Sequence, residues 1–279
     1  MKKVAVLVFA LAIACFALVG CGNNKPAAEG PVTEADGQTI IKVGASPAPH
    51  ADILKMAQEK LAKENIKLEI VEFTDYILPN KALSSGEIDA NFFQHLPYLN
   101  DYNAKEGSNL VSIAPVHFEP LAVYPGKAKS FAELADGATV AVPNDTTNEA
   151  RALKLLEAQG LIKLKEGVGL EATPRDIVEN PKNLKFHEVE AAVLPASLAD
   201  VDLAVINGNF ALGAGLDPAT VLATEDKNSE AAKTYANCLV VNANNAQNEA
   251  LLKLAKVLTS PEIKKAIDEK YQGAVVAVS

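Results

Sequence analysis

The run Pro143-Asn144-Asp145-Thr146-Thr147-Asn148-Glu149-Ala150-Arg151 follows an apolar segment and opens a helical pattern. Asp, Thr and Asn are N-cap residues, because their side-chain oxygens accept from the free N–H groups of a first turn. Arg151 breaks a local rule. A cation expected in the first helical turn faces the positive end of the macrodipole, at a cost of a few tenths of a kcal/mol. One reading is an anion site, in which Arg151 and the free N–H groups of that turn hold a carboxylate, most simply bidentately. The other is a surface ion pair with Glu149 or Asp145. Spacing alone leaves both open.

A second concentration is aromatic. Tyr76, Phe92, Phe93, His95 and Tyr98 lie close in a chain with only nine Phe, six Tyr and no Trp. Polar Asn91, Gln94 and His95 interleave the rings, so the stretch is not a plain core stripe. Such a wall can enclose an apolar or thioether side chain, although ordinary core packing accounts for most aromatic clusters. Asn207-Gly208-Asn209-Phe210 follows an apolar run at 203–206, where side chains at a strand's C-terminal end face a ligand crevice. Asn-Gly is equally a turn signal. Asn237, just before the apolar run at 239–241, is either a binding amide or a loop residue.

Catalytic constellations are poor. His50, His95, His117 and His187 show no paired spacing, and the chain lacks Gly-x-Ser-x-Gly, Walker and Gly-x-Gly-x-x-Gly motifs. No metal, no cofactor and no enzymatic activity are expected.

The elements that must position these residues alternate. Strands are expected at 40–43, 68–73, 110–116, 139–142, 203–206 and 239–241. Helices are expected at 51–62, 78–83, 148–159, 249–258 and 261–271, with Gly160 closing the fourth strand's helix as a left-handed cap. Short, nearly all-apolar strands between helices predict an α/β chain with largely parallel sheets. A Pro/Gly/Lys-rich stretch at 120–129 divides two sets of strand–helix units. This suggests two lobes around a cleft, with chain crossings near 122–126 and 238–242. Lobe 1 is then 39–122 plus 242–279, and lobe 2 is 123–241.

The N-terminus fixes a compartment. Met1-Lys2-Lys3, an uncharged run from Val4 to Val19, and Leu18-Val19-Gly20-Cys21 form a secretory signal ending in a lipobox. Residues 1–20 are expected to be removed and Cys21 acylated, with 21–38 as a polar tether. The apolar run is shorter than the ~20 residues a spanning helix needs. Loss of Lys2 and Lys3 takes the formal net charge from −9 to −11, a balance with no footprint for nucleic acid. Of three cysteines only Cys238 then remains free, so no intramolecular disulfide is expected and packed cores must supply stability.

These residues together carry a likeness. Val43-Gly44-Ala45-Ser46-Pro47, Phe73 to Asn80, Asp89 to Tyr98, Val142 to Asn148, Val178 to Leu184 and Ala204 to Asn207 resemble the methionine-binding lipoproteins of bacterial ABC importers, the MetQ/NlpA lipoprotein family. The resemblance runs from about residue 40 to the end. It implies a two-lobed periplasmic-binding-protein fold that closes on a free amino acid. It implies that Arg151 clamps the α-carboxylate and that Asn207 and Asn237 read the ammonium and carboxylate. Tyr76, Phe93, His95 and Tyr98 would enclose the thioether, with Asn148 beside them. The implied partners are methionine, an importer permease with its ATPase, and a bacterial cell or outer membrane reached through acyl chains. The protein is expected to be extracytoplasmic and monomeric. The sequence departs from the family's usual residues at Thr146, Phe92, Phe210 and Cys238. Another apolar amino acid, a short methionyl peptide, or a surface-adhesin role are the alternatives.

Overall fold

The structure is a computed structural model that describes residues 32–35 and 37–278. The signal segment and Cys21 lie outside these residues. Among the described residues no helix is long and apolar enough to cross a membrane.

Two sheets organise the chain, each with its own core. The larger contains seven strands and the smaller five. In the larger, Gln38–Ala45 lies parallel to both Ile66–Glu72 and Ala90–His95. The helices Asp52–Ala62, Glu249–Leu258 and Pro261–Tyr271 cover it and bury Ile53, Leu54, Leu254 and Ile267 against Ile41, Val43 and Phe92. The smaller sheet is built on Thr139–Pro143, which runs parallel to Lys185–Val189 and Leu203–Ile206. The helix Thr146–Ala158 packs on it through Ala152, Leu153 and Leu156.

The order differs from a largely parallel one at a definite place. Asn237–Asn242 returns from the smaller sheet and inserts antiparallel between Ala90–His95 and Leu110–Phe118. Ala122–Pro125 likewise runs antiparallel to Leu203–Ile206. A chain that leaves one sheet and comes back must reverse direction, so both sheets are mixed. The crossings also move. Ala122 already pairs in the smaller sheet and Leu121 lies in its core, so the outward crossing is at 119–121. Asn237 already pairs in the larger sheet, so the return precedes it, earlier than the boundary expected at 241 and 242.

A third difference lies at the start. Thr33–Ala35 pairs antiparallel with residues 38–40, so the ordered body begins inside the stretch expected to be tether. The sequence between the paired ends is Asp36-Gly37, a hairpin signal that the surrounding polar residues obscured.

Gly126 sits just after the outward crossing, and its N–H donates to Asp202 O at 2.9 Å. A Cβ there would lie 2.2 Å from Val201 O and 2.7 Å from Leu198 O, which are backbone atoms that cannot step aside. Gly126→Ala is expected to destabilise the protein by about 2 kcal/mol, roughly 4–8 °C in Tm, as read by a thermal melt.

Candidate functional site

The two lobes meet around a small, closed-down cavity lined by polar and aromatic side chains. All eight residues singled out from sequence line it: Tyr76, Phe93, His95, Tyr98, Asn148, Arg151, Asn207 and Asn237. Glu119, Gln94, Gly208 and Asn209 complete the lining.

Arg151 comes from the helix Thr146–Ala158, which Asp145 caps by accepting from Asn148 N at 3.0 Å. The helix starts two residues earlier than expected, so Arg151 stands in its second turn and the macrodipole argument weakens. Its ion-pair partner is neither Glu149 nor Asp145. Glu225 takes Nε at 2.8 Å and Nη2 at 2.5 Å, while Nη2 also donates to Glu119 O at 2.9 Å. The guanidinium lies over the Tyr235 ring at 4.3 Å. A protein carboxylate therefore fills the bidentate edge anticipated for a ligand. Among the described residues Nη1 has no hydrogen-bond partner, which leaves it for an acceptor from outside.

Asn148 is the centre of a buried amide network. Its Oδ1 accepts from His95 Nε2 at 3.1 Å and from Asn207 Nδ2 at 2.9 Å, while its Nδ2 donates to Asp145. His95 Nδ1 accepts from Tyr98 N at 3.2 Å, so these contacts assign the proton to Nε2. Burial, and next the nearby Arg151 charge, push His95 down to about 3. Asn207 Oδ1, in contrast, is buried and has no donor.

The aromatic wall forms as the clustering suggested. Tyr76 has ring centroids 5.9 Å from Phe93 and 5.8 Å from Tyr98, and Phe210 of the other lobe closes over it at 4.8 Å. The lobes are shut on one another: Tyr76 OH donates to Asn209 Oδ1 at 2.5 Å, and Lys105 Nζ donates to Thr146 Oγ1 at 2.6 Å.

Sequence reasoning missed Glu119. It directly follows the strand Leu110–Phe118, so its place at the end of an apolar strand was the available signal, the same one that marked Asn207. It is 5% exposed, and burial pushes its carboxyl above the usual range. Gly208 lets it approach: a Cβ there would sit 2.8 Å from Glu119 Cβ and 2.9 Å from Oε2. The fold also gathers His50 and His117 beside Glu119, although their sequence spacing showed no pairing.

Residues 41–279 match the family described as NlpA lipoprotein. The chain belongs to the NlpA lipoprotein family. A Salmonella typhimurium relative named D-methionine-binding lipoprotein MetQ is 45% identical over 269 residues, covering 95% of this chain and 94% of its own. A crystal structure of a putative lipoprotein from Ruminococcus gnavus has 48% identity and a TM-score of 0.85, covering 86% of this chain and 99% of that one. A nutrient binding protein from Burkholderia cenocepacia, solved bound to methionine, has 44% identity and a TM-score of 0.81 over 86% of this chain and all of its own. This NlpA lipoprotein thus has the two-lobed binding-protein fold that its likeness implied, with the cleft between the lobes.

The buried histidine gives a stability signature. Unfolded, His95 takes up a proton near its ordinary value of 6.5; folded, it resists until about 3. The unfolded state therefore binds more protons in that window, and stability falls with falling pH. Comparing wild type with His95→Gln between about pH 5.5 and 4, the variant's unfolding free energy is expected to fall less steeply, by about 1.4 kcal/mol per pH unit. Denaturant titrations across that range measure the difference.

Proposed function

We propose that this NlpA lipoprotein is a lipid-anchored receptor that captures free methionine in its interlobe cleft and presents it to an ABC importer's permease and ATPase. The observation that carries this is the placing of buried acceptors and a buried donor of opposite charge, Glu119 and Arg151, at one end of the interlobe cavity. Glu119 and the donor-less Asn207 Oδ1 are acceptors suited to an ammonium. Arg151 Nη1 is a donor suited to the α-carboxylate. The rings of Tyr76, Phe93 and Tyr98 offer a polarisable apolar surface for a thioether. Relatives named for D-methionine binding, and one solved with methionine, support this choice of ligand.

Binding without chemistry is the better reading. His95, the one imidazole noted from sequence in the cleft, has both ring nitrogens engaged, one by Tyr98 N and one by Asn148 Oδ1. Neither is free to act as a general base.

Capture requires only that the closed state bind the ligand better than the open one. The anchor would be Cys21, keeping the receptor outside the cytoplasm.

The test is calorimetric titration of the purified chain, unfolded and refolded to strip ligand, against D- and L-methionine and a panel of amino acids. Sub-micromolar binding of methionine is expected. Glu119→Gln, which keeps shape and removes charge, should weaken it about 100-fold. Silence across the panel from a folded sample overturns the methionine reading. For the anchor, Cys21→Ser is expected to move the protein from the detergent phase to the aqueous phase on partitioning; retention in detergent would refute acylation there.

A further inference from the structure

Glu119 has no cation of its own. Arg151 is committed to Glu225 and reaches Glu119 only at its backbone carbonyl. The carboxylate is held instead by uncharged donors. His117 Nε2 donates to Oε1 at 2.7 Å, and Asn209 N–H adds a second contact. His50 Nε2 lies 3.4 Å from the same oxygen but gives its one N–H to Asn237 Oδ1 at 2.9 Å, so toward Glu119 it is a neutral neighbour.

Both imidazoles are fully buried. They stand edge-on to Phe92, at 4.8 Å for His50 and 5.2 Å for His117, and 4.8 Å from each other. Among the described residues the Nδ1 atom of His117 has no hydrogen-bond partner, and only the Ala48 backbone lies near that of His50. A second proton on His117 would put a charged N–H into the core with nothing to accept it, a cost of several kcal/mol. His117 stays neutral for that geometric reason, and burial lowers it to about 3 and His50 to about 4. The remaining titratable neighbours of Glu119 are Tyr76 and Tyr271, both phenols shifted upward by burial.

The same three side chains have the composition of a metal site. A metal on the Nε2 atoms would force the proton of each ring onto Nδ1. Metal-bound imidazoles donate that second N–H to a partner, and among the described residues the His117 ring has none. The geometry points to proton donation.

We propose that His117, with neutral His50 packed beside it, is a positioning residue that aims the Glu119 carboxylate into the cleft without neutralising it, and so sets the receptor's selectivity for ligands with a free ammonium. This rests on the reading of Glu119 as the ammonium acceptor. A lysine or a charged histidine in the same place would complete the ion pair inside the protein, and an arriving ammonium would have to displace it. Neutral donors fix direction and leave the charge for the ligand.

The test compares methionine with its desamino analogue, 4-(methylthio)butanoate, by titration of the full chain. Wild type is expected to prefer methionine by about 100-fold or more. His117→Phe, which keeps the ring and removes the donor, should cut that preference at least ~10-fold. It should also make methionine affinity climb more steeply with pH between about 5 and 8, because a carboxylate stripped of its donor protonates more readily. His117→Gln, which restores a neutral N–H, should recover most of the preference. A general packing defect would weaken both ligands alike and leave the ratio unmoved. In wild type, 15N NMR of the histidines should find the neutral Nε2–H form of His50 and His117 throughout that range, a measurement that needs no variant.

An unchanged ratio in His117→Phe and His50→Phe, or imidazolium signals from these rings near neutral pH, overturns the proposal. Glu119→Gln separates the two levels. If it abolishes the preference while both histidine variants keep it, the positioning role alone fails. If it leaves the preference intact, the ammonium reading fails with it.

Discussion

Three N–H bonds of one buried guanidinium tie the site to the chain crossing. Arg151 holds Glu225 through two of them and the carbonyl of Glu119 through the third. Glu225 in turn accepts from Leu121 N at 2.9 Å. The crossing at 119–121 is therefore pinned on both sides by a side chain of the smaller lobe's helix. A buried cation without its partner is costly, by about 3–5 kcal/mol when one member of such a pair is lost. That cost makes the arrangement rigid. Because Glu119 sits on the pinned segment, the position of its backbone follows from where Arg151 is.

Burial supplies the rest of the site's character. The cleft holds many polar groups and few net charges. Asn148 satisfies donors from both lobes, and Asn80, Asn91 and Gln94 interlock through their amides behind the aromatic wall. Amides and neutral imidazoles can be satisfied completely without bringing counter-charge. A fully satisfied buried network specifies one arrangement, whereas a partly satisfied one destabilises it. Among the groups lining the cavity, Asn207 Oδ1 is left without a donor and Arg151 Nη1 without an acceptor among the described residues.

What could be read in the sequence was local. The apolar periodicities marked the main strands and helices to within a few residues, and Gly160, at φ 70°, does close the helix Thr146–Ala158. Arg151 and the aromatic wall were visible because each violates a short-range expectation. Long-range partners were not. Glu225 is 74 residues from Arg151, and His50 meets Asn237 across 187. No spacing encodes such distances: the pairing of Ala223 and Thr224 with the smaller sheet brings Glu225 to Arg151, and the return of Asn237–Asn242 into the larger sheet brings Asn237 to His50. That same strand upset the expected parallel order and the lobe boundary. The strand Ala90–His95 and the helix Leu96–Glu106 were seen as composition and not as elements, since every residue of the strand is buried and no alternation is left to read.

The return strand has a mechanical consequence. Leu110–Phe118, which leaves the larger sheet, and Asn237–Asn242, which re-enters it, are neighbours, and Asn237 pairs with His117. Both connections between the lobes thus emerge from one rung of one sheet. Two connections fixed at a common rung resist sliding and twisting and leave a single soft rotation, with its axis close to that rung. Displacement in such a rotation grows with distance from the axis. Glu119 lies two residues from the rung and would travel little in such a rotation, whereas the contacts between Tyr76 and Phe210 and between Lys105 and Thr146 would part. A change of angle about that rung would keep the polar end of the cavity in outline while parting its aromatic side.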